Sequence, residues 1–191
     1  MHKEIYMIAG PNGAGKTTTA LSTLPELKVY EFLNADEIAR GLSPLNPESV
    51  PLAASKLMIK RFRELLNINK SFAFETTASG KNYFKYLKEA REKEYQVHLM
   101  FLWLSSPELA IKRVSERVKQ GGHNIPQETI RNRYFSGIKN LFHHYLPLAD
   151  TIIILDNSSA SQKIIARKYI HNTLQIQETS TWEEMHRIAY V

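Results

Sequence analysis

A glycine-rich segment near the amino end of the chain carries the clearest sign of chemistry. It contains three glycines, a lysine and two threonines, and it lies between a short apolar run and a helical pattern. Glycines let a backbone wrap closely around phosphate, and the amino end of the following helix attracts negative charge. The predicted nucleotide-binding residues are Gly10, Pro11, Asn12, Gly13, Ala14, Gly15, Lys16, Thr17 and Thr18.

Two side chains of this segment have predicted roles in phosphate transfer. Lys16 is a predicted catalytic residue that bridges the β- and γ-phosphates, and the Thr17 hydroxyl is the predicted ligand of Mg²⁺. The chain lacks the Asn-Lys-x-Asp sequence that reads guanine, so ATP is favoured over GTP. The alternative is a glycine-rich turn that contains Lys-Thr by chance, and the strand before it and the helix after it argue against that.

Two carboxylates follow apolar runs that are predicted strands. Ligands of an open α/β sheet bind outside the carboxyl ends of its strands, where Asp36 and Glu75 both lie. Asp36 is the predicted catalytic base for an attacking hydroxyl, and Asp36, Glu75 and Thr77 are predicted to bind the acceptor. Glu75 could instead help to hold hydrated Mg²⁺. Either acid could also be an ordinary helix cap. A Walker B strand normally ends in an acidic residue, and both Glu75 and Asp156 are candidates for that residue.

Arginines flank a glycine turn in the second half of the chain. Arg113 and Arg117 lie four residues apart on one predicted helix, and Arg131 and Arg133 lie on the next. The turn between the two helices, residues 121–126, reads Gly-Gly-His-Asn-Ile-Pro. Such a lid can close over phosphates and neutralise the transferring group. Arg117 and Arg131 flank the turn most directly and are the predicted catalytic arginines; the alternative is four arginines on ordinary solvated helices.

The elements that must position these residues alternate between apolar runs and helical patterns. This order predicts an α/β fold, a three-layer P-loop NTPase with a mainly parallel five-stranded sheet and an arginine-bearing lid. After Asn157 the pattern changes to a predicted β-hairpin, with strands at 163–170 and 173–177, and a helix, so we expect one domain over residues 1–191 with an appendage at 158–191. The predicted strands are 4–9, 29–33, 71–74, 97–104 and 151–155; the predicted helices are 16–24, 35–41, 47–68, 81–93, 107–119, 127–145 and 182–189.

Composition narrows the class of protein further. The 191 residues are 43% hydrophobic, include no cysteine and carry a net charge of +6, which suits anionic ligands. The absence of cysteine favours a reducing compartment, and we expect a cytoplasmic protein with no membrane segment. His123 is not a predicted zinc ligand, because no second ligand accompanies it at a workable spacing.

Five motifs in order over residues 4–157 resemble the zeta-toxin family of P-loop kinases. They are the phosphate loop at 10–17, Asn-Ala-Asp-Glu-Ile-Ala at 34–39, Phe-Glu-Thr-Thr at 74–77, Arg117 before the turn at 121–126, and Asp-Asn at 156–157. Together they are far more specific than the phosphate loop alone.

The resemblance implies a kinase that uses ATP and Mg²⁺. The best-known members of the zeta-toxin family phosphorylate the sugar of UDP-N-acetylglucosamine. Carried over to this sequence, Lys16 binds phosphate, Asp36 is the base, Glu75 lies in the acceptor site, and Arg117 with Arg131 stabilises the transferred group. Asn157 joins the predicted nucleotide-binding residues. The resemblance also implies an antitoxin-like protein partner.

Two other functions remain open from the residues alone. The basic balance is also typical of a nucleic-acid end kinase, although the sequence lacks interleaved surface aromatic residues, so nucleic acid is the less favoured acceptor. A nucleotide-switched binding module would use the same phosphate loop without transferring a group. Identification of a phosphorylated acceptor separates the two kinases from the module.

Overall fold

The strands of the central sheet form where the sequence places its short apolar runs. A computed structural model describes residues 3–122 and 124–191, so His123 and its predicted lack of a zinc role lie outside the described residues. The strands are β1 Glu4–Ala9, β2 Phe32–Leu33, β3 Phe72–Thr76, β4 Gln96–Trp103, β5 Thr151–Asp156, β6 Lys163–Lys168 and β7 Gln175–Ile176. Their order in the sheet is β2-β3-β1-β4-β5-β6-β7.

The first five strands are parallel, and β6 and β7 add to the edge beside β5 in antiparallel order. Parallel strands are covered on both faces, which explains why they read as apolar runs without strict alternation. In β1, Ile5 and Met7 face one apolar cluster while Ile8 faces another. The fold is therefore the predicted α/β class with the predicted parallel core.

Helices cover both faces and make the fold three-layered. The helices are α1 Lys16–Thr23, α2 Ala35–Leu42, α3 Pro51–Asn67, α4 Asn82–Glu92, α5 Pro107–Lys119, α6 Gln127–Asn140 and α7 Thr179–Tyr190. The smaller apolar cluster, formed by Ile8, Ala20, Leu24, Val29 and Ala73, joins the sheet to α1, and the larger one joins it to α3 through α7. Among the described residues, no helix is both long enough and apolar enough to span a membrane.

Helix α3 shows how the apolar spacing fixes a helix against the sheet. Met58, Phe62 and Leu65 are fully buried and recur every three or four residues, so they share one face. The Phe62 ring meets the rings of Phe72 and Phe74 edge-on, with centroids 4.8 and 5.3 Å apart. This contact ties α3 to β3, the strand whose carboxyl end carries Glu75.

Several predicted boundaries differ from the structure. A single helix over 47–68 is wrong, because a 3-10 turn at Pro47–Ser49 precedes α3, which starts at Pro51. Proline disfavours helical geometry in the residue before it and is tolerated in the first turn of a helix. Similarly, α6 ends at Asn140 and continues as a π-helical turn, Leu141–Tyr145.

The carboxyl-terminal segment forms the predicted hairpin and helix, but the hairpin is not separate from the core. Strand β6 pairs with β5, so the hairpin extends the sheet from five strands to seven. Its second strand, β7, has only two residues, and the segment of 173–177 predicted as a strand is mostly irregular. Helix α7 packs on α6 and β6 through buried Met185 and Ala189.

Candidate active site

The phosphate loop joins β1 to α1 and needs glycine for two different reasons. Gly10 has φ +140°, and a Cβ there would lie 2.2 Å from the carbonyl oxygen of Leu102 on β4. Gly15, at the amino end of α1, has φ +82°, in the left-handed region that favours glycine. The loop thus lies tightly over the carboxyl ends of β1 and β4, with the amino end of α1 behind it.

Lys16 is buried in this loop with a charge partner from β3. Its Nζ donates to the Pro11 carbonyl oxygen at 3.0 Å and lies 3.6 Å from Glu75 Oε1. Burial lowers the pKa of the Lys16 ammonium below the ordinary value, and the carboxylates of Glu75 and Asp36 oppose that shift. The nearby positive charge of Arg117 lowers the same pKa. The charges of Asp36 and Arg117 therefore both act on Lys16 within one site.

Glu75 is the strand-end acid that reaches the phosphate loop. Its Oε2 accepts from the Thr17 hydroxyl at 2.6 Å and from Asn34 Nδ2 at 2.9 Å. Asp156, the other candidate for the Walker B acid, accepts instead from the backbone N–H of Ser158 at 2.8 Å. The geometry places Glu75 beside the predicted metal ligand and Asp156 at the base of a turn.

Asp36 projects from the first turn of α2. The helix is capped by Asn34, whose Oδ1 accepts from the N–H groups of Asp36 and Glu37 at 2.8 and 3.3 Å. The cap is thus Asn34, and the exposed Asp36 carboxylate lines the cleft beside Lys16 and Glu75. A carboxylate that does not cap its own helix can take part in proton transfer.

The loop after β3 is held from behind by α6. Asn140, which is buried, donates to the carbonyl oxygens of Ala78 and Ser79 at 2.9 Å each. Gly137 faces the Thr77 backbone so closely that a Cβ would lie 2.6 Å from the Thr77 oxygen. The Thr77 hydroxyl lies 2.8 Å from that of Ser79, and Thr77 lines the cleft. These contacts fix the backbone that the acceptor would meet.

The lid begins at the carboxyl end of α5. Gly121, with φ +85°, and Gly122 donate to the carbonyl oxygens of Val118 and Arg117, a Schellman motif. A Cβ at Gly122 would lie 2.5 Å from Arg117 Cγ, so the glycine makes room for the arginine stem. The double glycine therefore both ends the helix and packs beneath Arg117.

The other arginines divide between the cleft and the surface. Arg133 lines the cleft, whereas Arg131 forms an ion pair with Glu108 of α5. The preference for Arg131 over Arg133 therefore disagrees with this arrangement, although a catalytic role for either stays a prediction. Arg113 donates to the carbonyl oxygens of Asn157 and Ser158 at 2.7 and 3.0 Å and supports the phosphate loop from outside.

Asn157 links this support to the loop itself. Its Nδ2 donates to the Ala14 carbonyl oxygen at 2.7 Å, which ties the end of β5 to the phosphate loop. A Cβ at Gly15 would lie 2.9 Å from the same nitrogen. This contact sets the position of the loop backbone.

The cleft has a volume of about 520 Å³, within the usual range of small-molecule sites. Its charged and polar lining includes Lys16, Asn34, Asp36, Glu75, Thr77 and Arg133, and its apolar lining includes Pro44, Leu45, Met58, Tyr83 and Ile125. The sequence analysis gave no role to Asn34 or Tyr83, and it named Arg133 in the lid but preferred Arg131. A signal for Asn34 was present, since asparagine directly before a helix is a common cap.

The residues present fit a Mg²⁺-nucleotide. The glycine cradle leaves no room for side chains, and the Thr17 hydroxyl with the Glu75 carboxylate is an oxygen donor set of the kind that Mg²⁺ prefers. Asn12, which is 7% exposed and lines the cleft, has a buried Oδ1 with no hydrogen-bond partner among the described residues. Buried polar atoms are normally paired, so this one is suited to a ligand.

Comparison with known proteins agrees with this geometry. The profile of the family described as Zeta toxin matches residues 1–165. The chain belongs to the zeta toxin family. The resemblance inferred from the five motifs is therefore confirmed. An uncharacterised protein of Haemophilus influenzae is 30% identical over 134 residues, which are 70% of this chain and 94% of that protein.

Solved structures show the same fold. A chain of the AvrRxo1-ORF1:-ORF2 complex with ATP superposes with a TM-score of 0.75 at 16% identity, over 96% of this chain and 63% of that one. The chain thus spans less than two thirds of that neighbour. The PezAT toxin-antitoxin system of Streptococcus pneumoniae gives a TM-score of 0.56 at 16% identity, over 85% and 71%. At 16% identity, these two likenesses show the fold.

Proposed function

We propose that this chain transfers the γ-phosphate of ATP to a hydroxyl group of a small molecule bound in the cleft. The observation that carries the proposal is that Lys16, Asp36 and Glu75, from three different segments, line one cleft together with Arg133, and that the Thr17 hydroxyl donates to Glu75. A binding module needs the phosphate loop but has no need of a carboxylate exposed beside it. The proposed base favours an enzyme.

The phosphate-loop residues bind and orient the donor. Lys16 moves its ammonium from Glu75 and Pro11 onto the β- and γ-phosphates, and the loop N–H groups bind the phosphate oxygens. The Thr17 hydroxyl is the proposed ligand of Mg²⁺, with Glu75 behind it. Mg²⁺, when bound with ATP, neutralises negative charge on the phosphate oxygens.

Asp36 is the proposed base. The acceptor oxygen bonds to the γ-phosphorus as the bond from that phosphorus to the ADP oxygen breaks, and the hydroxyl proton passes to the Asp36 carboxylate. Arg117 and Arg133 offset the charge of the transferring group, and the lid that carries them excludes water.

A nucleotide sugar such as UDP-N-acetylglucosamine is the proposed acceptor. The cleft is large enough for part of such a molecule, and Arg40, which lines it and is ion-paired with Glu37 at 3.0 Å, has further N–H groups for a diphosphate. We also propose an antitoxin-like protein partner and a cytoplasmic location. The partner is supported by family membership and by neighbours solved as an ORF1:ORF2 complex and as a toxin-antitoxin system.

The test is transfer of labelled γ-phosphate from Mg·ATP to a panel of UDP-sugars, other small metabolites and 5′-hydroxyl oligonucleotides. We expect label on a UDP-sugar, abolished by Lys16→Ala and reduced at least a hundredfold by Asp36→Asn. Undiminished transfer by Asp36→Asn refutes the base. If only the oligonucleotides are labelled, with a steep dependence on salt, the acceptor is a nucleic acid and not a small molecule. ATP binding without any labelled product favours the binding module.

A further inference from the structure

Asn34 lies at the junction of the parts that the proposed reaction needs. It follows β2, caps α2 and is only 5% exposed. Its Nδ2 donates to Glu75 Oε2 at 2.9 Å and to Thr17 Oγ1 at 3.3 Å, while its Oδ1 accepts from the N–H groups of Asp36 and Glu37. One buried amide thus contacts the proposed metal ligand, its supporting acid and the helix that carries the base.

We infer that Asn34 is a positioning residue, which sets the distance between the Asp36 base and the Thr17 and Glu75 pair through the two ends of its carboxamide. The inference rests on the proposed function and adds a role for a residue that does not itself touch the reacting atoms. Because both ends of the amide are engaged, a shift of α2 would strain the contacts to β3 and α1.

The hydrogen-bond pattern at Thr17 explains what the amide does there. A threonine hydroxyl has one hydrogen to donate and two lone pairs. The hydrogen goes to Glu75 at 2.6 Å, and one lone pair accepts from Asn34. A single lone pair is left for a cation. Asn34 and Glu75 together therefore fix the direction in which Thr17 can act as a ligand.

Asparagine is the residue type that meets both demands. Serine is a good helix cap, but its hydroxyl cannot cap α2 and donate to both Thr17 and Glu75. Aspartate keeps the shape and the cap but turns a carboxylate oxygen toward Glu75, where an N–H now donates at 2.9 Å. Alanine supplies neither the oxygen that caps α2 nor the N–H group that donates to Glu75. These three variants separate the capping role from the positioning role.

The experiment compares wild type with Asn34→Ser, Asn34→Ala and Asn34→Asp by three readouts. They are melting temperature, the Mg²⁺ dependence of binding of a fluorescent ATP analogue, and kcat and KM for UDP-N-acetylglucosamine, the proposed acceptor. Asn172→Ser, in a turn beside the far edge strand β7, is the matched control for an asparagine-to-serine change.

We expect Asn34→Ser to melt above Asn34→Ala, because the cap survives, and to lose tenfold to a hundredfold in Mg²⁺-dependent nucleotide affinity or kcat relative to wild type. Asn34→Ala loses as much and also melts at a lower temperature. Asn34→Asp keeps the cap but turns an oxygen instead of an N–H toward Glu75, so it loses at least as much as Asn34→Ser. The acceptor KM stays within threefold in all three.

Two results would overturn the inference. Wild-type Mg²⁺ dependence and kcat in Asn34→Ser would show that the cap is all Asn34 supplies. Activity losses that follow the fall in melting temperature, and vanish on cooling, would show a purely structural role. Failure of the wild-type protein to bind Mg·ATP is distinguishable from both, because it refutes the proposed function and the inference falls with it.

Discussion

The substitution Glu75→Gln tests whether the buried lysine of the phosphate loop depends on its carboxylate partner. Lys16 is 6% exposed and the Glu75 side chain is 14% exposed, and their charged atoms lie 3.6 Å apart. Removing one partner of a buried pair costs about 3–5 kcal/mol, because the remaining charge is left without compensation. Lys16 keeps its hydrogen bond to Pro11, which puts the expected loss at the lower end of that range.

The loss has an upper limit, because Lys16 can release its proton in the folded state of the variant. The ordinary lysine pKa is 10.5, so release at pH 7.5 costs about 4 kcal/mol and at pH 9.0 about 2 kcal/mol, at about 1.4 kcal/mol for each step of one in pH. The unfolded chain keeps that proton, and stability rises with pH wherever the unfolded state binds more protons. The deficit of Glu75→Gln should therefore shrink as the pH rises.

Urea unfolding at pH 7.5 and pH 9.0, without nucleotide, measures this. We expect Glu75→Gln to be about 3 kcal/mol less stable than wild type at pH 7.5 and at most about 2 kcal/mol less stable at pH 9.0. Glu94→Gln is the control, because Glu94 is 89% exposed beside Lys3, and it should leave the free energy of unfolding unchanged. A deficit below about 1 kcal/mol at pH 7.5, or one that grows with pH, would refute the account of Lys16.

Three further predictions follow from the geometry. Gly10→Ala should abolish ATP binding or folding, because its Cβ would lie 2.2 Å from a carbonyl oxygen of β4. Gly41→Ala in α2, which has open space around it, should instead raise the melting temperature slightly. Calorimetry of both variants measures these effects on melting and on ATP binding. Arg133→Ala should lower phosphate transfer about a hundredfold and Arg131→Ala less than threefold, and equal losses in the transfer assay would contradict the orientation of α6. Burial lowers the pKa of His98 below its ordinary value of 6.5, although the carboxylates of Glu4 and Asp150 oppose the shift, so stability should fall as the pH drops from 7.5 to 5.5. Thermal melts should show a smaller fall for His98→Gln than for wild type. Parallel curves for the two proteins would count against this effect.

The fold could be read from the sequence because its local signals agree. Apolar runs bounded by turns predict buried parallel strands, and Gly10 to Thr17 predicts the strand, turn and helix that surround a phosphate loop. The extent of β2 and β7 could not be read in this way. Each has two residues, and which residues of an extended segment pair is decided by neighbouring strands and not by local composition.

Two features of the site depend on how distant segments pack in the folded chain: which side of α6 faces the cleft, and which residues Asn34 contacts. Ile130 and Tyr134 mark the buried side of α6, and Arg131 and Arg133 lie on opposite flanks of that stripe. Nothing local says which flank faces the cleft, so the choice between two arginines needed the packing of α6 on α5. Asn34 was recognisable as a helix cap, but its contact with Glu75 joins segments 41 residues apart.

The two-residue strands at the margins of the sheet limit how another protein could attach. β2 and β7 are the outermost strands, so each margin offers only a very short row of backbone groups for pairing with a further strand. Long open margins invite strand addition and aggregation, and short ones discourage both. A protein that restrains this kinase-like chain would therefore have to recognise side chains, for instance around the mouth of the cleft, and not lengthen the sheet.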